Sequence, residues 1–343
     1  MERKTAQEFD QELLYLYDYY AHGQIDRRTF LDRAAKYAVG GLTAVALLEM
    51  LSPNYLLAAQ VPKEDNRVRS EYLKYSSPEG NGVNGEMRGL FAKPANATGK
   101  LPGIIVVHEN RGLNPYIEDV ARRCALAGFV AFAPDALYPL GGYPVTRMAE
   151  LTAGGISPAA AEAQVNAEFL AKYGSAEDKA KGVSAAASKW EDQGVVMQRS
   201  LNGGKVTEDF VAATKFLAAH SSCNGQIGVT GFCFGGGMSN TLAWRLPDLV
   251  KAAAPYYGAV GSAENAPKIK GALLLHFGEL DTRINAGWPA YEAALKAANV
   301  EHQGFIYPGV NHGFHNDTTP RYDKAAADLS WTRTIEFFKK KLA

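Results

Sequence analysis

Cys233 stands in Gly228-Val-Thr-Gly-Phe-Cys-Phe-Gly-Gly-Gly237, an apolar run that enters a glycine-rich turn. Its centre has the form G-x-C-x-G, a nucleophile-elbow pattern with cysteine where serine is usual. The chemistry such a turn supports is covalent attack on an acyl carbon. A sharp strand-to-helix turn holds the nucleophile in a strained backbone conformation. Side chains two residues to either side, where Gly231 and Gly235 stand, would collide with the neighbouring strand or helix. The helix N-terminus under the turn favours negative charge and so helps a thiolate and a developing oxyanion alike.

A thiol also needs a base, and the base needs orienting. Leu273-Leu-Leu-His-Phe-Gly-Glu-Leu-Asp281 reads as a strand ending in a tight turn, with Asp281 just beyond it. Glu279 is the rival acid, at a place where a turn residue faces solvent. Tyr307-Pro-Gly-Val-Asn-His-Gly-Phe314 supplies His312, in a glycine-flanked loop after a strand. The order Cys233, Asp281, His312 is the chain order that an elbow of this kind requires. Among the other histidines, His22, His220 and His302 read as surface residues and His276 as a satisfied core histidine. His108 and His315 are candidates to line the pocket. In Val106-Val-His-Glu-Asn-Arg-Gly-Leu113 a strand ends in the loop that normally donates an oxyanion-hole amide. Glu109 there is placed to face the nucleophile, with capping of the next helix as the alternative. Cys124 and Cys223 read as small buried residues. Three cysteines with no C-x-x-C pair give neither a disulfide framework nor zinc spacing.

The elements that must position these residues follow from pattern. The 343 residues are 47% hydrophobic, enough for a large core, and 36 basic against 36 acidic residues give no electrostatic case for a nucleic-acid or membrane partner. Asn81-Gly-Val-Asn-Gly85 predicts a hairpin turn, with 86–92 as its second strand. Short β-branched or apolar runs at 103–107, 129–133, 226–230, 252–257, 272–276 and 305–307 predict buried strands. Helical patterns fall at about 116–127, from 235 onward, at 288–298 and at 323–341. Strands alternating with helices predict an α/β fold with a mostly parallel sheet flanked by helices. Residues 61–343 form that domain, with a helical insertion at about 140–205.

Residues 1–60 are a separate question. Asp26-Arg-Arg-Thr-Phe-Leu-Asp32 precedes an apolar run at 37–48 and the small residues Leu56-Leu-Ala-Ala59, an order that resembles a twin-arginine export signal built on Arg27 and Arg28. The run is too short for a bilayer span, which needs roughly 20 residues. The alternative is a helical extension packed on the catalytic domain or on a second subunit of a homodimer. The first reading places the protein in the periplasm and the second leaves it in the cytoplasm.

The combination G-F-C-F-G-G, G-E-L-D, N-H-G-F and H-E-N-R-G-L-N resembles the dienelactone hydrolase (carboxymethylenebutenolidase) family over about residues 70–343. The resemblance implies an α/β-hydrolase fold and no metal or organic cofactor. It implies Cys233 as nucleophile, His312 as base and Asp281 as its orienting acid. Glu109 matches a family glutamate that contacts the resting thiol, and the amides of Phe234 and Asn110 would form the oxyanion hole. Arg111, Tyr138, Tyr257 and His315 are candidates for substrate contact. The family's two carboxylate-binding arginines have no counterpart here: Pro134-Asp-Ala-Leu-Tyr138 is followed by no arginine until Arg147, and Asn316 stands beyond the histidine with Arg321 the next. The function implied is hydrolysis of a small ester or lactone through a cysteine thioester. The alternatives are a broad carboxylesterase or acyltransferase with 140–205 as a lid, and a non-catalytic thiol redox sensor.

Overall fold

A computed structural model describes residues 4–57, 60–174 and 190–343. Eight strands form one sheet: β1 (Val68–Ser76), β2 (Glu86–Pro94), β3 (Leu101–Val107), β4 (Val130–Pro134), β5 (Cys223–Phe232), β6 (Val250–Tyr256), β7 (Ala272–Gly278) and β8 (His302–Tyr307). Their spatial order is β1-β2-β4-β3-β5-β6-β7-β8. The first two pairings are antiparallel and the other five parallel. The β1–β2 hairpin turns through Asn84 and Gly85, both at positive φ, as the Asn-Gly pair predicts.

Alternation along β3 explains why its sequence is apolar throughout. Ile105 and Val107 enter the core on one face, and Ile104 and Val106 the core on the other. Helices Pro115–Leu126 and Lys324–Lys341 cover the second face, and Gly203–Ala219, Phe234–Arg245 and Trp288–Ala297 the first. The insertion is helical over Pro144–Ala153, Pro158–Tyr173 and Trp190–Ser200, and its residues 175–189 lie outside the described residues.

The N-terminal segment has a small core of its own. Helices α1 (Gln11–Ala21), α2 (Arg27–Ala34) and α3 (Ala44–Leu51) bury Leu13, Tyr17, Phe30, Leu48 and Leu51 against one another. Arg27 and Arg28 open α2, behind the Asp26 cap. The apolar run divides between a short turn and α3, and no described helix is long and apolar enough to cross a membrane.

His276 lies in the core as its sequence context predicts. Its Nδ1 is 2.9 Å from Tyr307 Oη and its Nε2 2.9 Å from Thr334 Oγ1. Burial, and secondarily the Arg333 charge, pushes it down to about 3. Burial also pushes His108 down to about 4. Each folded value lies below the unfolded one of about 6.5, so the unfolded chain takes up protons first as pH falls. The stability these neutral rings support is therefore complete above about pH 6.5 and is lost toward pH 3–4. Thermal unfolding followed from pH 7 to pH 4 should show a falling Tm. His276→Gln should make that slope shallower, and an unchanged slope would place the acid sensitivity elsewhere.

Candidate active site

β5 delivers Cys233 to the C-terminal edge of the sheet, and the helix Phe234–Arg245 starts at the next residue. The Cys233 backbone has φ 58° and ψ −112°. A non-glycine residue in such a region costs on the order of 1–3 kcal/mol and persists only where its surroundings fix it. Here its amide donates to Tyr256 O (3.1 Å) and its carbonyl accepts from Gly236 N (3.0 Å). The glycine requirement is steric. A Cβ on Gly231 would lie 2.2 Å from Gly235 O, and one on Gly235 would lie 2.3 Å from Val107 O.

Asp281 and His312, distant in the chain, meet in the structure. Asp281 Oδ2 is 2.6 Å from His312 Nδ1, and both side chains are buried. Asp281 Oδ1 also accepts from Ile284 N (3.3 Å), which fixes the carboxylate at the start of a helical turn. With Nδ1 donating to Asp281, His312 Nε2 is the basic nitrogen, and it is buried without a hydrogen-bond partner among the described residues. Glu279 is exposed and accepts from Gly309 N (2.8 Å), so it serves the turn. Cys233, Phe234, Asn110, Tyr257 and His312 line one cleft of about 470 Å³, walled by Met238, Trp244 and Ile284.

Several expected residues lie elsewhere. Glu109 is buried and accepts from Asn316 Nδ2 (2.7 Å), and the described thiol has another polar partner. Asn114, not Glu109, caps the following helix. Arg111 is buried and donates to Tyr17 Oη (3.3 Å) under α1, outside the cleft lining. His315 packs in the core, bonded to Tyr116 Oη (2.7 Å) and set against Phe232 and Trp331. His108 stacks on Phe234 and bonds to the Glu109 carbonyl, also away from the lining. Tyr138 carries the Arg88 guanidinium on its ring. Of the four substrate-contact candidates only Tyr257 reaches the cleft, its ring 5.0 Å from that of His312. The described insertion residues do not line the cleft, although Gln198 accepts from Gly112 N (3.1 Å).

The largest departure concerns His22, which reads as a surface residue in the sequence. Its Nε2 lies 3.0 Å from Cys233 Sγ, and its ring packs edge-on to His312 with centroids 4.7 Å apart. Arg283 also lines the cleft, bonded to Asp18 (3.2 Å), whereas Arg147 and Arg321 do not. No local pattern marks His22, since its partner is 211 residues away. Arg283 follows Asp281 by two residues, before His312 in the chain and not beyond it. Ligand atoms of His22, Cys233 and His312 lie within 4.8 Å of one another. A tetrahedral zinc ion would hold a sulfur and a nitrogen ligand about 3.5 Å apart. The 3.0 Å spacing fits a hydrogen bond better than a shared metal shell.

The family model described as "Dienelactone hydrolase family" matches residues 87–342. The chain belongs to that family. As a member it is a hydrolase of ester or lactone bonds acting on a small molecule. A second family model, "YqhI-like", matches residues 1–36, the stretch that carries His22. Among relatives, a protein of Synechocystis named "Putative carboxymethylenebutenolidase" is 31% identical over 76% of this chain and 94% of its own length. An Escherichia coli K12 protein named "Putative hydrolase fragment YghX" is 57% identical over 30% of this chain and 86% of its own length. A solved structure titled as a "Putative Dienelactone Hydrolase" from Klebsiella pneumoniae is 25% identical, with a TM-score of 0.57 over 79% of this chain and 99% of that one.

In this dienelactone hydrolase family member the elbow leaves no room at Gly235. Gly235→Ala should lower the unfolding free energy by at least about 2 kcal/mol, because the clash is with backbone and cannot relax by rotation of a side chain. Chemical denaturation measures it, and an unchanged midpoint would contradict the close approach.

Proposed function

We propose that the protein hydrolyses carboxylic esters or lactones through a thioester formed on Cys233. One observation carries this reading: an elbow thiol and a His312 imidazole backed by buried Asp281 line the same cleft, with Cys233 Sγ within 4.8 Å of a His312 ring nitrogen. The sulfur attacks the acyl carbon as a thiolate. The leaving alkoxide takes up the proton that the thiol has lost. His312 then removes a proton from the water that opens the thioester, while Asp281 holds its tautomer. The amides of Phe234 and Asn110, residues that line the cleft beside Cys233, are the candidates to stabilise the tetrahedral oxyanion. Each such donor contributes roughly 10²–10³ in rate.

The walls of the cleft say something about the substrate. Met238, Trp244, Tyr257 and Ile284 present apolar surface, and Arg283 is the cation at its rim. Arg283 is already shared with Asp18. A compact, largely apolar ester or lactone suits this lining better than one whose recognition depends on a bidentate carboxylate. A thiol sensor would have no use for a buried acid–base pair opposite the sulfur.

Cys233→Ala should lower kcat/KM on p-nitrophenyl acetate and on simple lactones by at least about 10³-fold. Full activity in that variant would sink the reading. In a substrate panel, short uncharged esters and lactones should outrank carboxylate-bearing lactones. Strong preference for the latter would instead point to Arg283 as a carboxylate clamp.

A further inference from the structure

We propose that His22, carried at the end of α1, is a catalytic residue that takes the proton of Cys233 and holds the sulfur as a thiolate before substrate binds. This inference rests on Cys233 being the nucleophile. The contact is direct, Nε2 to Sγ at 3.0 Å. The far side of the ring is oriented as a catalytic imidazole is: Nδ1 lies 2.8 Å from Asp18 O and 3.3 Å from Asp18 Oδ1. The sulfur therefore meets two carboxylate–imidazole pairs, Asp281–His312 from the sheet and Asp18–His22 from the N-terminal segment.

The second pair is held in place from several elements. Asp18 accepts from Arg283 (3.2 Å) and from Arg321 (3.1 Å). The carbonyl of His22 accepts from Arg199, and that of Ala21 from Asn110 Nδ2. Gln11 Nε2 donates to Asn311 Oδ1 (2.6 Å), next to the catalytic histidine. Packing of an amphipathic helix would need apolar contact alone, whereas these bonds fix one ring against one sulfur.

Charge favours the pair. The groups facing His22 are Asp18 on its own helix, Cys233 on the elbow, His312 after β8, and Arg283 after β7. Arg321 and Arg199 stand behind Asp18 and the His22 carbonyl. Burial favours the neutral ring, but the Cys233 sulfur and Asp18 outweigh it and raise His22 to about 9. Burial opposes the Asp18 charge too, yet His312, His22 and Arg321 hold that carboxyl well below its usual range. Glu109, bonded to Asn316, is not the thiol's partner here.

The proton count closes. The S–H bond breaks and its proton goes to His22 Nε2. The sulfur electron pair forms the C–S bond, the C–O bond breaks, and the alkoxide leaves with the His22 proton. His312, its Nε2 unoccupied, takes a proton from water, and the hydroxide displaces the thiolate from the acyl carbon. That proton passes by way of the sulfur back to His22. Ester and water have become acid and alcohol.

The test follows the pH dependence of Cys233 alkylation by iodoacetamide in the full-length protein, read by peptide mass, beside kcat/KM on p-nitrophenyl acetate. At about pH 6, His22→Gln should alkylate at least about tenfold more slowly than wild type and should approach it at high pH, because the thiolate fraction is lost. His312→Gln should keep the wild-type alkylation profile while losing turnover. His22→Gly, checked as folded by a circular dichroism spectrum matching wild type, should regain alkylation and turnover when imidazole is added. If His22→Gln alkylates at about pH 6 as fast as wild type or faster, or if imidazole restores nothing, His22 only covers the site and the inference is overturned. Cys233→Ala separates the two readings. Activity in that variant overturns the nucleophile itself, whereas an inert Cys233→Ala beside a wild-type profile in His22→Gln overturns the role of His22 alone.

Discussion

The backbone at Cys233 can hold φ 58° only because three stretches of main chain press on it. β3 ends at Val107 and His108 against Gly235, β6 delivers Tyr256 O to the Cys233 amide, and Gly231 lies under the carbonyl of Gly235. The strain, on the order of 1–3 kcal/mol, is small beside the burial of Ile227, Val229 and Phe232 on the same strand, at about 1.5–3 kcal/mol each. The sheet therefore fixes the elbow rather than yielding to it. The same geometry turns Cys233 toward the cleft, starts a helix at Phe234 and sets the Asn110 loop beside it. Moving any one of these strands would move Cys233, Phe234 and Asn110 together.

A second constraint comes from outside the sheet. The end of α1 is bonded to loops after β3, β7 and β8 and to the insertion. Its Asp18 is buried and shared by two arginines. A buried carboxylate is costly unless it is paired, so docking of α1 and pairing of Asp18 stand or fall together. That makes the N-terminal segment part of the cleft, and not only a cover for it. Arg27 and Arg28 then belong to a helix packed behind α1.

What the sequence disclosed was what short-range pattern can carry. The G-x-C-x-G elbow, the strand-turn that presents Asp281 and the glycine-flanked His312 each have a local signature, and chain order ties them together. The buried strands were legible because parallel strands covered on both faces lose their polar alternation. His22 was not legible, because a histidine at a helix end carries no mark of a sulfur 211 residues away. Glu109 shows the reverse problem. Its position after β3 suggests the thiol, but Asn316 draws the carboxylate away. Likewise Arg111 and His315 stand near the right segments and are claimed by Tyr17 and Tyr116. Which of two nearby partners a side chain takes is decided by packing, and packing is not written in spacing.

The proposed thioester places the acyl group on Cys233. Rapid acid quench of the enzyme during turnover of a slowly hydrolysed ester, followed by peptide mass spectrometry, tests it directly. A thioester on Cys233 should appear as a thiol-labile acyl adduct on the peptide containing that residue, formed in the burst and lost at the rate of turnover. A burst with no adduct there, or an adduct on another residue, would contradict it.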